Sequence, residues 1–197
     1  MFSVFRFLPI RDSKAIMLVI AIGFATASYF VSEMKEFLME ATIDQVHERI
    51  LLGTLTCRQL VEFYLARIEA FDGHGPRINS IVCINPKALE QADILDHKFV
   101  ASGGKISGPL HGIPVMLKDN IDCCSQDKDM ATTAGSASLR NNFPAQDAYI
   151  TRKLKEAGAI ILAKVNLHEF AVWGETMSSI QGQTLNPYDL TRTPGGS

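Results

Sequence analysis

Two periodicities alternate along the chain. From residue 40 onward, apolar residues recur at helical spacing. Ile43, Val46, Ile50 and Leu51 form one stripe, and Leu60, Val61, Tyr64, Leu65 and Ile68 form a second. A capping box opens each: Thr42-Ile43-Asp44-Gln45 and Thr56-Cys57-Arg58-Gln59. In that motif hydroxyl and side-chain amide satisfy backbone groups that the first helical turn leaves unpaired. Gly53 and Gly73 stand where these helices should close. The pattern then changes to a strand run, Ile81-Val82-Cys83-Ile84, and Asn85-Pro86 opens a third helix through Val100. Ala101-Ser102-Gly103-Gly104 reads as a loop.

The loop delivers the chain to Gly108-Pro109-Leu110-His111-Gly112-Ile113-Pro114-Val115-Met116-Leu117-Lys118-Asp119-Asn120. Pro114 is tolerated only at a strand's start or on an edge strand. Val115-Met116-Leu117 is then a brief buried strand, and Lys118 sits at its end, facing a loop or cleft. Residues 122–135 read as a loop over one side of that position, with Gly135 a candidate for positive φ. A helix over 147–157 carries Tyr149, Ile150 and Leu154 on one face, with Gly158 as its C′ residue. The strand at 159–163 completes a right-handed β-α-β crossover. The fold class is therefore α/β, a mixed or parallel sheet flanked by helices with further helices N-terminal to it. Asn166 is expected to cap a short helix beginning Leu167-His168-Glu169-Phe170.

Charge and cysteine usage narrow the function classes. Lys plus Arg number 19 and Asp plus Glu 21, for a net charge of −2, so nothing electrostatic calls for nucleic acid. The four cysteines form no Cys-x-x-Cys pair, which argues against a zinc site. Cys123 and Cys124 are adjacent and are read as free thiols, with a strained vicinal disulfide as the alternative. The N-terminus follows a different rule. Arg6, Arg11 and Lys14 precede the unbroken apolar run Ala15–Ala25, and Ala25-Thr26-Ala27 has the small-x-small pattern of a cleavage site. Residues 1–27 are therefore assigned to a signal peptide or signal anchor, and residues 28–197 to the folded domain. Export through the secretory pathway follows, with membrane-anchored and cytoplasmic locations as alternatives. Membrane contact is expected only if the segment stays uncleaved.

Candidate chemistry centres on Lys118. A lysine serves as a base only when neutral; its ordinary pKa of about 10.4 opposes this and desolvation favours it. Two other motifs carry less. His168-Glu169 would need a second histidine at position 172 to make a zincin, and that residue is Val172. Pro194-Gly195-Gly196-Ser197 lacks the Gly-x-x-x-x-Gly-Lys pattern of a phosphate loop.

Several segments, taken in order, do carry a resemblance. They are the Gly108–Lys118 stretch, Thr132-Thr133-Ala134-Gly135-Ser136, the run Leu154–Asn166, Gly182-Gln183-Thr184-Leu185-Asn186-Pro187, and Thr193-Pro194-Gly195-Gly196-Ser197. Together they resemble the amidase signature family, serine hydrolases with a Ser–Ser–Lys triad. The resemblance implies that Lys118 is the triad base and that Ser197 is the bridging serine, placed on a cis peptide bond. It puts Ala171, within Ala171-Val172-Trp173, on the acyl side of the substrate cleft, with Ser197 beside the substrate. It implies a small-molecule or peptide amide as substrate and no metal or organic cofactor. In that family the nucleophilic serine and oxyanion donors follow the bridging serine. The 197 residues are thus expected to form an incomplete amidase-signature fold, truncated before the nucleophile and inactive alone. The alternative is a non-catalytic truncated product that binds a partner or ligand.

Overall fold

The computed structural model describes residue 34, residues 36–125 and residues 127–197. The chain divides into two compact units between Thr42 and Ile43. Of the first unit's described residues, 34 and 36–40 are helical, and 41 and 42 are not. The signal segment assigned to residues 1–27 lies outside the described residues. Among the described residues no helix is long and apolar enough to cross a membrane.

The second unit opens with α1 (Ile43–Leu51) and α2 (Cys57–Ile68). On α1 only Val46 and Ile50 are buried, while Ile43 and Leu51 are exposed, so the packed stripe is one residue line wide. The second capping box forms as its sequence dictates. Gln59 N donates to Thr56 Oγ1 at 3.1 Å, and Thr56 N donates to Gln59 Oε1 at 3.0 Å. A third group joins from α3 (Ala88–Ala101): Cys57 N and Arg58 N donate to the two carboxylate oxygens of Asp96 at 2.8 and 3.0 Å. A carboxylate at a helix N-terminus also meets the positive end of the helix dipole. α2 runs on into a π-helical turn, Glu69–Gly73, and ends at the expected glycine.

The sheet has the order β1-β3-β2. β3 (Ile160–Val165) is central; β1 (Ile81–Ile84) lies antiparallel to it and β2 (Pro114–Lys118) parallel. Helix α4 (Tyr149–Glu156) connects the parallel pair. Pro114 thus falls on an edge strand, where its missing N–H breaks no ladder. Ile160, Ile161, Leu162 and Ala163 are all buried, the continuous apolar run of a strand covered on both faces. A small antiparallel hairpin follows, β4 (Met177–Ser178) and β5 (Gly182–Gln183).

Two local expectations change, on α4 and at Asn166. The described residues of the 122–135 segment form no helix or strand, as expected of a loop, and Cys123 and Met130 within it pack in one buried cluster with Leu117 and Ile161. Its polar backbone is satisfied internally, as Thr132 N donates to Asn142 O and Ala148 N to Asp122 O. On α4 the inward residues are Thr151 and Leu154, with Tyr149 and Ile150 exposed. A hydroxyl serves there because Thr151 Oγ1 donates to Asp122 O at 2.7 Å. Asn166 caps no helix. Its amide donates to Gly182 O and Thr184 Oγ1 and it accepts from Ser178 Oγ, so long-range partners take the groups that a cap would use. The helical piece after it is a single 3-10 turn, Glu169–Ala171. Cys123 and Cys124 are free thiols.

Candidate active site

Backbone hydrogen bonds hold the Gly108–Gly112 turn against the residues that follow α4. Leu110 N donates to Ala157 O and Gly112 N to Gly158 O, each at 2.9 Å. Gly158 has φ +94°, and a Cβ there would stand 2.9 Å from His111 Cα. His111 itself is fully buried. Its Nδ1 is 2.8 Å from Ser107 Oγ, and its Nε2 lies 3.7 Å from Cys57 Sγ. Burial, with His47 adding to it, pushes the imidazole below its ordinary pKa, against a weaker pull from Asp96. Burial and Asp96 push the Cys57 thiol up, so Cys57 is an inert packing group rather than a nucleophile.

This anchored turn feeds β2, whose register sets Lys118 opposite Val165 at the end of the parallel pair. Asp119 N continues the ladder by donating to Val165 O at 3.0 Å. Lys118 is half-buried, and its Nζ donates to Ser197 Oγ at 2.7 Å across 79 residues of chain. Base-type and hydroxyl groups at that separation form a direct proton path. Ser197 lies in the exposed stretch 191–197. Ala171 is half-buried at the end of its 3-10 turn with φ +56°, its N–H donating to His168 O at 2.7 Å. The exposed residues Val172 and Trp173 follow it.

No peptide bond among the described residues is cis, so the cis bond implied at Ser197 is replaced by a trans one. A cis bond before a residue other than proline costs about 3–4 kcal/mol and persists only where tight packing imposes it. Here the segment is held by the Thr176 hydroxyl on the Gly195 carbonyl and by Lys118 Nζ on Ser197 Oγ, and both bonds form with the peptide trans.

Sequence reasoning missed two residues beside this pair. Lys164 and Asp119 form an ion pair at 3.1 Å, and neither side chain has any exposure. Lys164 Nζ also donates to Thr132 Oγ1 at 2.9 Å. The other oxygen of Asp119 accepts from Thr133 N at 3.2 Å and from the Thr133 hydroxyl. Through the Asp119 carbonyl, which accepts from Ala134 N at 2.9 Å, the strand end is bound to the Thr132–Gly135 loop. The available signal was a lysine closing the apolar run Ile160-Ile161-Leu162-Ala163, because a lysine is almost never fully buried without a partner. On the far side of the loop Gly135 has φ +76°, as its position suggested, and packs near Ser178, Glu169 and Leu167. Hydrogen bonds from Ser179 and Ser136 hold the Glu169 carboxyl below the usual carboxylate range.

Comparison with known proteins places this geometry in a family. The Amidase family model matches residues 59–197. The glutamyl-tRNA(Gln) amidotransferase subunit from Trichodesmium erythraeum is 40% identical over 158 residues, which cover 80% of this chain and 31% of that protein. The native peptide amidase from Stenotrophomonas maltophilia superposes with a TM-score of 0.72 at 40% identity, covering 80% of this chain and 32% of that one. An amidase family protein from Bacillus anthracis gives a TM-score of 0.73 at 35% identity, covering 82% and 32% respectively. The chain thus spans about 30% of the length of the curated relatives it matches.

Proposed function

This chain belongs to the amidase family, and on that premise we propose that it supplies the base and the proton relay of a carboxylic-amide hydrolase with a Ser–Ser–Lys triad. The observation that carries this reading is the 2.7 Å hydrogen bond between Lys118 Nζ and Ser197 Oγ.

Amide hydrolysis needs a nucleophile, a route for its proton and donors for the developing oxyanion. As the base, Lys118 Nζ accepts the Ser197 hydroxyl proton as Ser197 Oγ accepts the proton of the nucleophilic serine. That serine attacks the amide carbonyl. The proton then travels back along the same two groups to the leaving nitrogen as the C–N bond breaks, leaving an acyl-enzyme. Water, activated by the same relay, releases the carboxylic acid. In the family pattern the nucleophile follows the bridging serine. Lys118 and Ser197 are thus the base and the relay that such a nucleophile would use. The substrate class is a linear amide, with a peptide amide favoured by the likeness of the helical pair and the Gly182–Pro187 stretch to stand-alone amidases. The basic and apolar pattern of residues 1–27 supports export.

A chimaera tests the triad roles. In it the 197 residues are joined to the remaining sequence of the Stenotrophomonas maltophilia peptide amidase. Ammonia release from a C-terminally amidated dipeptide is expected from the chimaera. Lys118→Ala and Ser197→Ala should each abolish it. Full activity in either variant would overturn the assignment.

A further inference from the structure

We propose that Thr176 is a positioning residue that seats Ser197 on Lys118; the inference rests on the relay reading above. Residues 172–175 and Met177 are exposed, yet Thr176 between them is only 7% exposed. Its side chain points inward, and the Thr176 hydroxyl donates to the Gly195 carbonyl, two residues before Ser197. Among the described residues, the hydrogen bonds that hold Gly195–Ser197 run to Thr176 and to Lys118. The relay serine is thus fixed from both sides, by a hydroxyl on its backbone and an amine on its side chain.

The backbone at Thr176 is itself strained. Its φ is +53°, an outlier for a β-branched residue. Such a conformation persists only where the surroundings over-determine it, and it concentrates at functional sites. Here the Thr176 carbonyl is gripped twice, by Thr184 N at 3.1 Å and by Gln183 Nε2 at 3.3 Å, both from the edge of the β4–β5 hairpin. The hairpin therefore aims the hydroxyl. Gly196 completes the seat. A Cβ on it would stand 2.7 Å from Thr176 Oγ1 and 3.3 Å from both Thr176 N and Gly174 C. Only a residue without a side chain lets the segment lie flat on Gly174–Thr176 and bring Ser197 down to the lysine.

The test uses the 197-residue chain with ¹⁵N-labelled lysine. The Lys118 Nζ signal is identified by its loss in Lys118→Arg, and the exchange of its amino protons with water is measured. Removing the Ser197 acceptor with Ser197→Ala should speed exchange about tenfold, the size expected for one lost hydrogen bond to a charged group. Thr176→Val, which keeps the shape and loses the hydroxyl, and Gly196→Ala should reproduce that change. Thr176→Ser should restore wild-type exchange. If Ser197→Ala leaves exchange unchanged, the Lys118–Ser197 pair does not form, and the relay reading and this inference fall together. If Ser197→Ala speeds exchange while Thr176→Val and Gly196→Ala behave as wild type, the pair stands and the role of Thr176 is refuted. Should Thr176→Val lose its folded circular-dichroism spectrum, the contrast between Gly196→Ala and Thr176→Ser decides the matter.

Discussion

Asp119 and Lys164 face each other at 3.1 Å with no exposure of either side chain, one residue beyond Lys118 on β2 and opposite Leu117 on β3. A pair this deeply buried is held by its hydrogen bonds as much as by its charges, and Thr132 and Thr133 supply them. Losing one partner leaves an uncompensated charge in the core, which costs about 3–5 kcal/mol. Lys164→Met and Asp119→Asn are each expected to lower the urea-unfolding free energy by that amount. The double variant Asp119→Leu/Lys164→Met should recover much of the loss. Equal destabilisation by the double and the worse single variant would show that the charges are not the issue.

Lys118→Arg separates orientation of Ser197 from proton transfer. A guanidinium can still donate to Ser197, but it stays protonated in a protein and so cannot act as the base. In the chimaera with the peptide amidase, kcat should fall at least about 100-fold, the scale of a lost general base. A variant within threefold of wild type would mean that Lys118 only orients Ser197.

Acid should loosen the Gly108–Gly112 turn through His111. The groups facing this imidazole are Cys57, Ser107, His47, Asp96 and Lys98. Its folded pKa lies below the ordinary value, because burial disfavours the charged form. The unfolded chain then binds more protons between the two values, so stability rises with pH across that window. The melting temperature should be level above about pH 6.5 and fall as the pH drops toward the lower, folded value. His111→Gln should flatten this part of the profile relative to wild type. An unchanged slope would place the acid sensitivity elsewhere.

Gly158→Ala probes the contact between that turn and α4. The position combines φ +94° with a Cβ that would stand 2.9 Å from His111 Cα. The substitution should destabilise by more than about 1 kcal/mol, because neither the backbone angle nor the neighbouring backbone can yield cheaply. Gly103, also at positive φ but with open space around it, is the control. Gly103→Ala should cost less, by the steric share. Equal losses in chemical-denaturation midpoints at the two sites would argue that only the angle matters.

The chain's local rules were enough for much of this molecule. Thr56 and Gln59 announce a capping box, and that box forms. The apolar run before Lys164 announces a buried strand, and Pro114 announces an edge. These features are legible because the period of apolar residues, the reach of a hydroxyl and the ring of proline act within a few residues. The order of motifs from Gly108 to Ser197 likewise pointed to the amidase family before any coordinates.

What only the tertiary structure decided depends on groups brought together from far along the chain. Asp96 finishes the cap of α2 from another helix. Asn166 forgoes its local cap for partners on β5 and the residue after it. The loop over 122–135 is pinned to the core because Cys123 and Met130 find Leu117 and Ile161. Lys164 is tolerated in the core because Asp119 arrives there by parallel pairing of β2 with β3, and no spacing rule predicts which carboxylate will meet which amine. The approach of Ser197 to Lys118 is of the same kind. The sequence names two residue types, but a 2.7 Å contact requires the strand register, the hairpin and the Thr176 hydroxyl to act at once.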